Sequence, residues 1–278
     1  MPYWGIYLKS LSFNALQIGA LLSLFQISRI FAPNVLGWVA DQSGEYIKWI
    51  KISSFFGFII FMGIFWSNTF VNIFIVMMAM SIFTSSTLPL AESLTLAHLK
   101  ANKADSKYSH IRLWGSIGFI VAALSLGIMI DSYGERSLIY ALLITQLVIF
   151  FLAFILPEKK INFTKFNKRS IWPILKRREV IVLLLSCALM VSSHGLLYNF
   201  YSIFLEDQGY SGATIGLLWS VGVVFEILIF LLMPKILSKF TLKSVLLISL
   251  AFAVLRFFLI GAYVDSILIL IAAQIMHA

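Results

Sequence analysis

Six side chains that carry or can take up charge stand within long apolar runs: Arg29, Glu92, Arg112, His194, Glu226 and Arg256. Their types set the chemistry open to them. A guanidinium in apolar surroundings pairs with a carboxylate or holds a polar solute through charge-assisted hydrogen bonds. A lone carboxylate there favours its protonated form and releases the proton when water reaches it from one side. Glu226 and Glu92 are therefore candidate proton carriers. His194, Tyr198 and Tyr201 recur at i, i+4 and i+7, on one helix face. Imidazole and phenol groups on such a face can stack on, and hydrogen-bond to, an aromatic acid or a sugar.

Each of these residues also has a plainer role. Arg112 can anchor a helix end at a polar boundary, and Glu92 can reach outward from one. His194 can be a packing residue. Glu226 can pair statically with Arg256, which by itself reads as structural. Gln274 and His277 recur at i and i+3 close to the end of the sequence. Gly212, Ile215, Trp219, Gly222 and Glu226 form a small-residue face suited to helix packing or a cavity wall. Gly19, Ser23, Gln26, Pro33 and Gly37 form a more polar face beside Arg29. Gly115 and Gly118, just after Arg112, are expected to permit close helix contact.

Several chemistries lack their residues. The sequence has no phosphate-cradling GxxxxGK[ST], no HExxH and no GxSxG. Its one cysteine, Cys187, excludes an intrachain disulfide framework and a thiolate metal cluster. No catalytic residue, metal or cofactor is expected.

The elements that position these residues follow from composition. Of 278 residues, 60% are hydrophobic and 12% charged, against about 25% charged in soluble domains. A spanning helix needs about 20 apolar residues. Such runs lie at 14–38, 46–66, 70–98, 109–130, 136–156, 179–205, 212–236 and 242–263, with partial ones at 1–8 and from 266. The fold class is thus an all-α integral membrane protein with eight full and two partial spans. Trp66 and the amino-terminal aromatics Tyr3 and Trp4 are expected in an interfacial belt.

The net charge of +9 does not mark a nucleic-acid partner, because the charges sort by loop. Segments 40–50 (with Lys51 just beyond), 99–112, 157–178 and 235–243 hold 17 of the 21 basic residues. The intervening connections carry Lys9 and Arg136 among several acids. Lys and Arg collect on the cytoplasmic side, so these four segments are expected in the cytoplasm.

A displacement of 197 residues relates 8–30 to 205–227 and pairs Arg29 with Glu226. Both of these lie roughly 14 residues, or ~21 Å, from the outer helix end. A parallel six-helix repeat resembles the architecture of major facilitator transporters, whose solute binds between the two halves. The expected domains are an N-terminal bundle, 1–156, a basic linker, 157–178, and a partial C-terminal bundle, 179–278. In that frame most of the first helix and the last two are absent, so the sequence reads as a fragment.

Gly37-Trp38-Val39-Ala40-Asp41-Gln42-Ser43-Gly44 resembles the major facilitator loop signature, with Gln42 and Glu45 where that family has basic residues. It makes Gly37, Asp41 and Gly44 a candidate gating loop. Pro89-Leu90-Ala91-Glu92, followed by Arg112-Leu113-Trp114-Gly115-Ser116-Ile117-Gly118, resembles the fourth and fifth helices of lactose permease relatives. Pro2-Tyr3-Trp4, Arg112 to Ser116, and Gly209-Tyr210-Ser211 with Leu218-Trp219-Ser220-Val221-Gly222-Val223-Val224-Phe225-Glu226 resemble the phenylpropionic acid transporter family along essentially the whole chain.

That resemblance implies a monomeric, proton-coupled symporter in a bacterial-type inner membrane. It implies uptake of a small organic acid such as 3-phenylpropionate, with a sugar or nucleoside as the alternative solute. Arg29, Glu92, Arg112, His194, Tyr198 and Tyr201 become candidate substrate residues, and Glu226 and Glu92 candidate proton-coupling residues. The expected partners are a small-molecule substrate, protons and the lipid bilayer. A non-transporting membrane receptor or assembly protein, and an inactive fragment, are the competing readings.

Overall fold

The computed structural model describes residues 2–104, 107–157 and 172–277, which form helices and no strand. In chain order these are α1 (Trp4–Ser10), α2 (Ala15–Ser43), α3 (Tyr46–Met62), α4 (Phe70–Ala101), α5 (Tyr108–Tyr133), α6 (Ser137–Ile155), α7 (Trp172–Leu175), α8 (Arg178–Asp207), α9 (Gly212–Lys239), α10 (Leu242–Ala262) and α11 (Ile267–Ile275). A 3₁₀ turn, Gly63–Trp66, continues α3. Eight helices are long and apolar enough to cross a bilayer: α2 to α6 and α8 to α10. They coincide with the eight full runs in the sequence. Most of the basic segment 157–178, with Lys159, Lys160, Lys165, Lys168 and Arg169, lies outside the described residues.

Helix starts are written in short polar residues. Asn14 accepts from the Gln17 amide, and the Gln17 side chain returns a bond from the Asn14 amide, a reciprocal cap of two orphan donors. Thr69, Ser211 and Thr241 cap α4, α9 and α10 by accepting from the amides of Asn72, Thr214 and Ser244. The 197-residue displacement reappears in these caps. α1 ends at Ser10 and α8 at Asp207; Ser12 and Gly209 both have positive φ; Asn14 and Ser211 are the caps; α2 starts at Ala15 and α9 at Gly212. Every one of these pairs is 197 apart. The repeat therefore extends from apolar letters to backbone conformation.

The chain forms two compact units. One contains Tyr7–Ser109 and Arg136–Arg169; the other contains Met1–Ile6, His110–Glu135 and Ser170–Ala278. In the first, α4 packs on α2 and α3, and α3 on α6. A core of Ala40, Tyr46, Ile47, Ile50, Leu90, Leu94 and Ala153 joins these four helices. Ser28 on α2 and Ser81 on α4 meet in a buried hydroxyl pair at 2.5 Å.

In the second unit α11 packs on α9 and α10, and α8 on α9. α5 approaches α9 closely enough for backbone contact. A Cβ placed on Gly127 would stand 2.3 Å from the Gly212 carbonyl oxygen, and one on Gly216 would stand 2.4 Å from that of Ala123. Only glycine leaves room there. The Tyr3 hydroxyl sits in the crossing and bonds the carbonyls of Ala123 at 2.8 Å and Gly212 at 2.9 Å. Asp131 fixes the same crossing from the end of α5 (Gly212 N–H at 2.6 Å, Ala213 N–H at 2.8 Å).

Two expectations are corrected here. Gly115 and Gly118 have open space where a Cβ would go; the close contact on α5 is made three turns further along, at Gly127. Tyr3 and Trp4 are buried in packing contacts rather than set in an interfacial belt. Trp66, by contrast, is 74% exposed.

The outward surface is apolar. Ile181 to Leu185, Leu189 and Val191 on α8, and Ile144, Val148, Phe151 and Leu152 on α6, are exposed. Water does not tolerate apolar faces of this extent on a monomer, whereas lipid is their natural solvent.

Candidate functional site

α8, α9, α10 and α11 bring their polar and aromatic residues to one place within the second unit. Trp219 on α9 is its centre. The Trp219 indole N–H donates to Ser202 Oγ on α8 at 2.9 Å, buried. Tyr198 stacks on the indole with centroids 5.9 Å apart and planes 18° apart. Tyr201 meets it edge-on at 5.5 Å, and Phe119 from α5 at 6.4 Å. Tyr198, Tyr201 and Ser202 lie within about one turn of each other on α8, so one face of that helix sets all three against Trp219.

Arg256 enters from α10. It is 1% exposed, and its Nη2 donates to Gln274 Oε1 at 3.2 Å. Its Nη1 lies 2.6 Å from His277 Nδ1. A guanidinium has only donors, so His277 accepts through Nδ1 and carries its proton on Nε2. That Nε2 is 3.5 Å from the Tyr198 hydroxyl. A line of polar groups thus runs from Arg256 through His277 to Tyr198. His194 closes the group. Its Nδ1 donates to the Met190 carbonyl at 2.9 Å, and its ring lies 5.9 Å from Tyr198, 5.4 Å from Phe257 and 6.1 Å from His277.

The sequence-predicted residues fall into three groups. His194, Tyr198 and Tyr201 come together in this site, with Tyr201 buried and Tyr198 45% exposed. Glu226, one helical turn beyond Gly222, is exposed and lies in electrostatic range of Tyr198. It forms no ion pair with Arg256, whose partners are Gln274 and His277. Arg112 opens α5 with an exposed side chain and is not among those partners. Arg29 and Glu92 belong to the other unit: Arg29 is exposed and reaches Gln26 Oε1 at 3.5 Å, and Glu92 is half-buried on α4.

The loop signature is mostly helix. Gly37 to Ser43 form the last turns of α2, and Gly44 ends it at φ 68° with its N–H on the Ala40 carbonyl, the left-handed cap that glycine supplies. The Asp41 carboxylate accepts from the Tyr46 hydroxyl on α3, and Glu45 pairs with Lys48 at 2.8 Å. Asp41 is thereby tied to the next helix through a phenol.

The site residues that sequence reasoning underrated are Trp219, Arg256, Gln274 and His277. Their signal was present as a lone arginine in an apolar run and an i, i+3 polar pair. Only packing shows that they meet. Among the described residues no cluster of His, Cys, Asp and Glu has the arrangement of a metal site.

The family model described as "MFS_1 like family" matches residues 1–278. The chain belongs to the MFS_1 like family. It is a multi-pass membrane transporter of the major facilitator superfamily and not an enzyme. Within the family's wider set of transporters it is 28% identical to the "Probable 3-phenylpropionic acid transporter" of Escherichia coli (strain K12), over 100% of this chain and 73% of that protein. It is 26% identical to the nucleoside permease NupG of the same organism, over 94% of this chain and 68% of that one. A crystal structure of a variant of the nucleoside transporter NupG superposes with a TM-score of 0.87 at 21% identity, covering 99% of this chain and 74% of that chain. This likeness carries the MFS fold.

Proposed function

We propose that this MFS_1 like chain belongs to a proton-coupled symporter that takes up a small organic acid, of the aromatic kind exemplified by 3-phenylpropionate, across a bacterial inner membrane. The observation that carries this reading is the stacked Tyr198–Trp219 pair beside His194 and Tyr201. Flat aromatic faces next to hydrogen-bonding groups suit an aryl solute with a polar end. The similarity to the 3-phenylpropionic acid transporter over the full chain supports the same solute class.

In this reading the solute contacts His194, Tyr198 and Tyr201, and Arg29, Glu92 and Arg112 are the further candidate substrate residues. Glu226, a carboxylate without an ion pair inside an apolar helix, carries the proton, with Glu92 as the second candidate. Ionisable groups at such depth are costly to keep. The end of α2 with Gly37, Asp41 and Gly44 is the gating element, tied to α3 through Asp41 and Tyr46. The basic segments face the cytoplasm, and the protein works as a monomer.

Uptake into proteoliposomes tests the reading. Labelled 3-phenylpropionate accumulates when the outside is made acidic, and a protonophore abolishes the accumulation. Binding without any uptake would instead identify a membrane receptor. A second solute class has its own support: NupG is a relative in sequence and in fold, and nucleobases also stack on aromatic rings. Competition by uridine stronger than that by 3-phenylpropionate would select it.

A further inference from the structure

Among the described residues Arg256 is the one charged side chain in the fully buried set, and no carboxylate touches it. Burying a cation without an anionic partner is strongly unfavourable. Its neighbours compensate in part, through one amide oxygen and one imidazole nitrogen.

The surroundings show a shortage of one kind of group. Arg256 Nε, Gln274 Nε2 and the Tyr201 hydroxyl are all buried with no hydrogen-bond partner. They are close neighbours: Gln274 approaches Tyr201 without reaching hydrogen-bond geometry, and Tyr201 lies in the field of Arg256. All three can donate. Buried donors without acceptors are rare in folded proteins. What this place lacks is an acceptor of negative charge with several lone pairs.

We propose that this buried cluster is a carboxylate seat, in which Arg256, Gln274 and Tyr201 bind the anionic end of an aryl organic acid while Tyr198 and Trp219 hold its ring. The inference rests on the organic-acid reading above and assigns it a binding centre in α8 to α11. His277 is the cover. It stands two residues beyond the end of α11 and occupies Arg256 Nη1. A carboxylate is a stronger acceptor for a guanidinium than a neutral imidazole, so it displaces His277 from that nitrogen. Gly222 makes room for the exchange, because a Cβ there would stand 3.2 Å from both Gln274 Oε1 and the His277 ring. Tyr198, the exposed member of the stack, gives the ring of the solute an open face.

The test is calorimetric binding to the full chain in lipid nanodiscs, using 3-phenylpropionate and its neutral isostere 3-phenylpropanamide. The native protein binds the acid at least tenfold more tightly than the amide. Arg256→Gln binds the two within about twofold of each other and keeps its affinity for the amide, a pattern that general damage does not produce. If Arg256→Gln does not fold, Arg256→Lys takes its place. It keeps the charge but loses the planar fork, and its preference for the acid falls severalfold. A native protein without preference for the acid overturns the proposal, as does a folded Arg256 variant that retains the preference in full. Uptake of the acid with either overturning result leaves the transport reading standing; selective binding without uptake leaves the seat standing and removes transport.

Discussion

Asp131, at the end of α5, closes the N-terminus of α9: its two carboxylate oxygens accept from Gly212 N–H at 2.6 Å and Ala213 N–H at 2.8 Å. Ser211 takes the next amide, that of Thr214, and its own carbonyl takes Ile215. The first three amides inside the helix, those of Gly212, Ala213 and Thr214, are therefore matched, and the negative charge sits at the positive end of the helix dipole. Asp131→Ala is expected to cost about 1–3 kcal/mol, the scale of hydrogen bonds to a charged group. Thermal unfolding in detergent reads the loss. Asp131→Asn, which keeps one acceptor, loses less.

Glycine on α5 has a position-dependent meaning. Gly127→Ala forces its methyl into the Gly212 carbonyl and is expected to destabilise by about 1–3 kcal/mol, as overpacked contacts do. Gly115→Ala and Gly118→Ala meet open space, and each stays within about 0.5 kcal/mol of the native protein. A melting temperature that falls equally in all three variants contradicts the close crossing.

Trp219 is a hub for Tyr198, Tyr201, Ser202 and Phe119. Trp219→Leu removes the stack and the indole donor together, and is expected to weaken binding of 3-phenylpropionate more than tenfold. Tyr201→Phe keeps the edge-on ring contact and removes only the hydroxyl. It weakens the acid more than the amide. Binding isotherms for the two compounds separate ring contact from anion recognition.

Glu226→Gln fixes the neutral form at the candidate proton carrier. Uptake of 3-phenylpropionate by this variant is expected to lose its dependence on an imposed pH gradient while exchange of internal for external solute continues. A gradient response equal to that of the native protein removes the role from Glu226 and leaves Glu92→Gln to be tried.

The sidedness of the loops has a direct measure. With Cys187 replaced by Ser, cysteines introduced at Lys103 and Lys176 are expected to label from the same face of the membrane, and one at Arg136 from the other. Labelling of Lys103→Cys and Lys176→Cys from opposite faces contradicts the expected topology.

The sequence by itself determined the eight spans, the membrane class and the repeat, because each depends on local composition. Twenty apolar residues define a crossing wherever they stand, and caps such as Asn14 and Ser211 act within one helical turn. The face formed by His194, Tyr198 and Tyr201 was legible for the same reason, since helical period alone sets it. The structure decided the rest. Arg256 read as structural because its helix was expected at the periphery of the bundle; its meeting with Gln274 and His277 depends on how α10 and α11 pack, which no spacing along the chain encodes. Gly127 rather than Gly115 or Gly118 makes the α5–α9 contact because the crossing point is fixed by two helices at once. The hold of Asp131 on the start of α9 likewise joins two helices and is written in neither one alone. Charges, caps and periods are properties of a segment, whereas a site is a property of several segments brought together by burial.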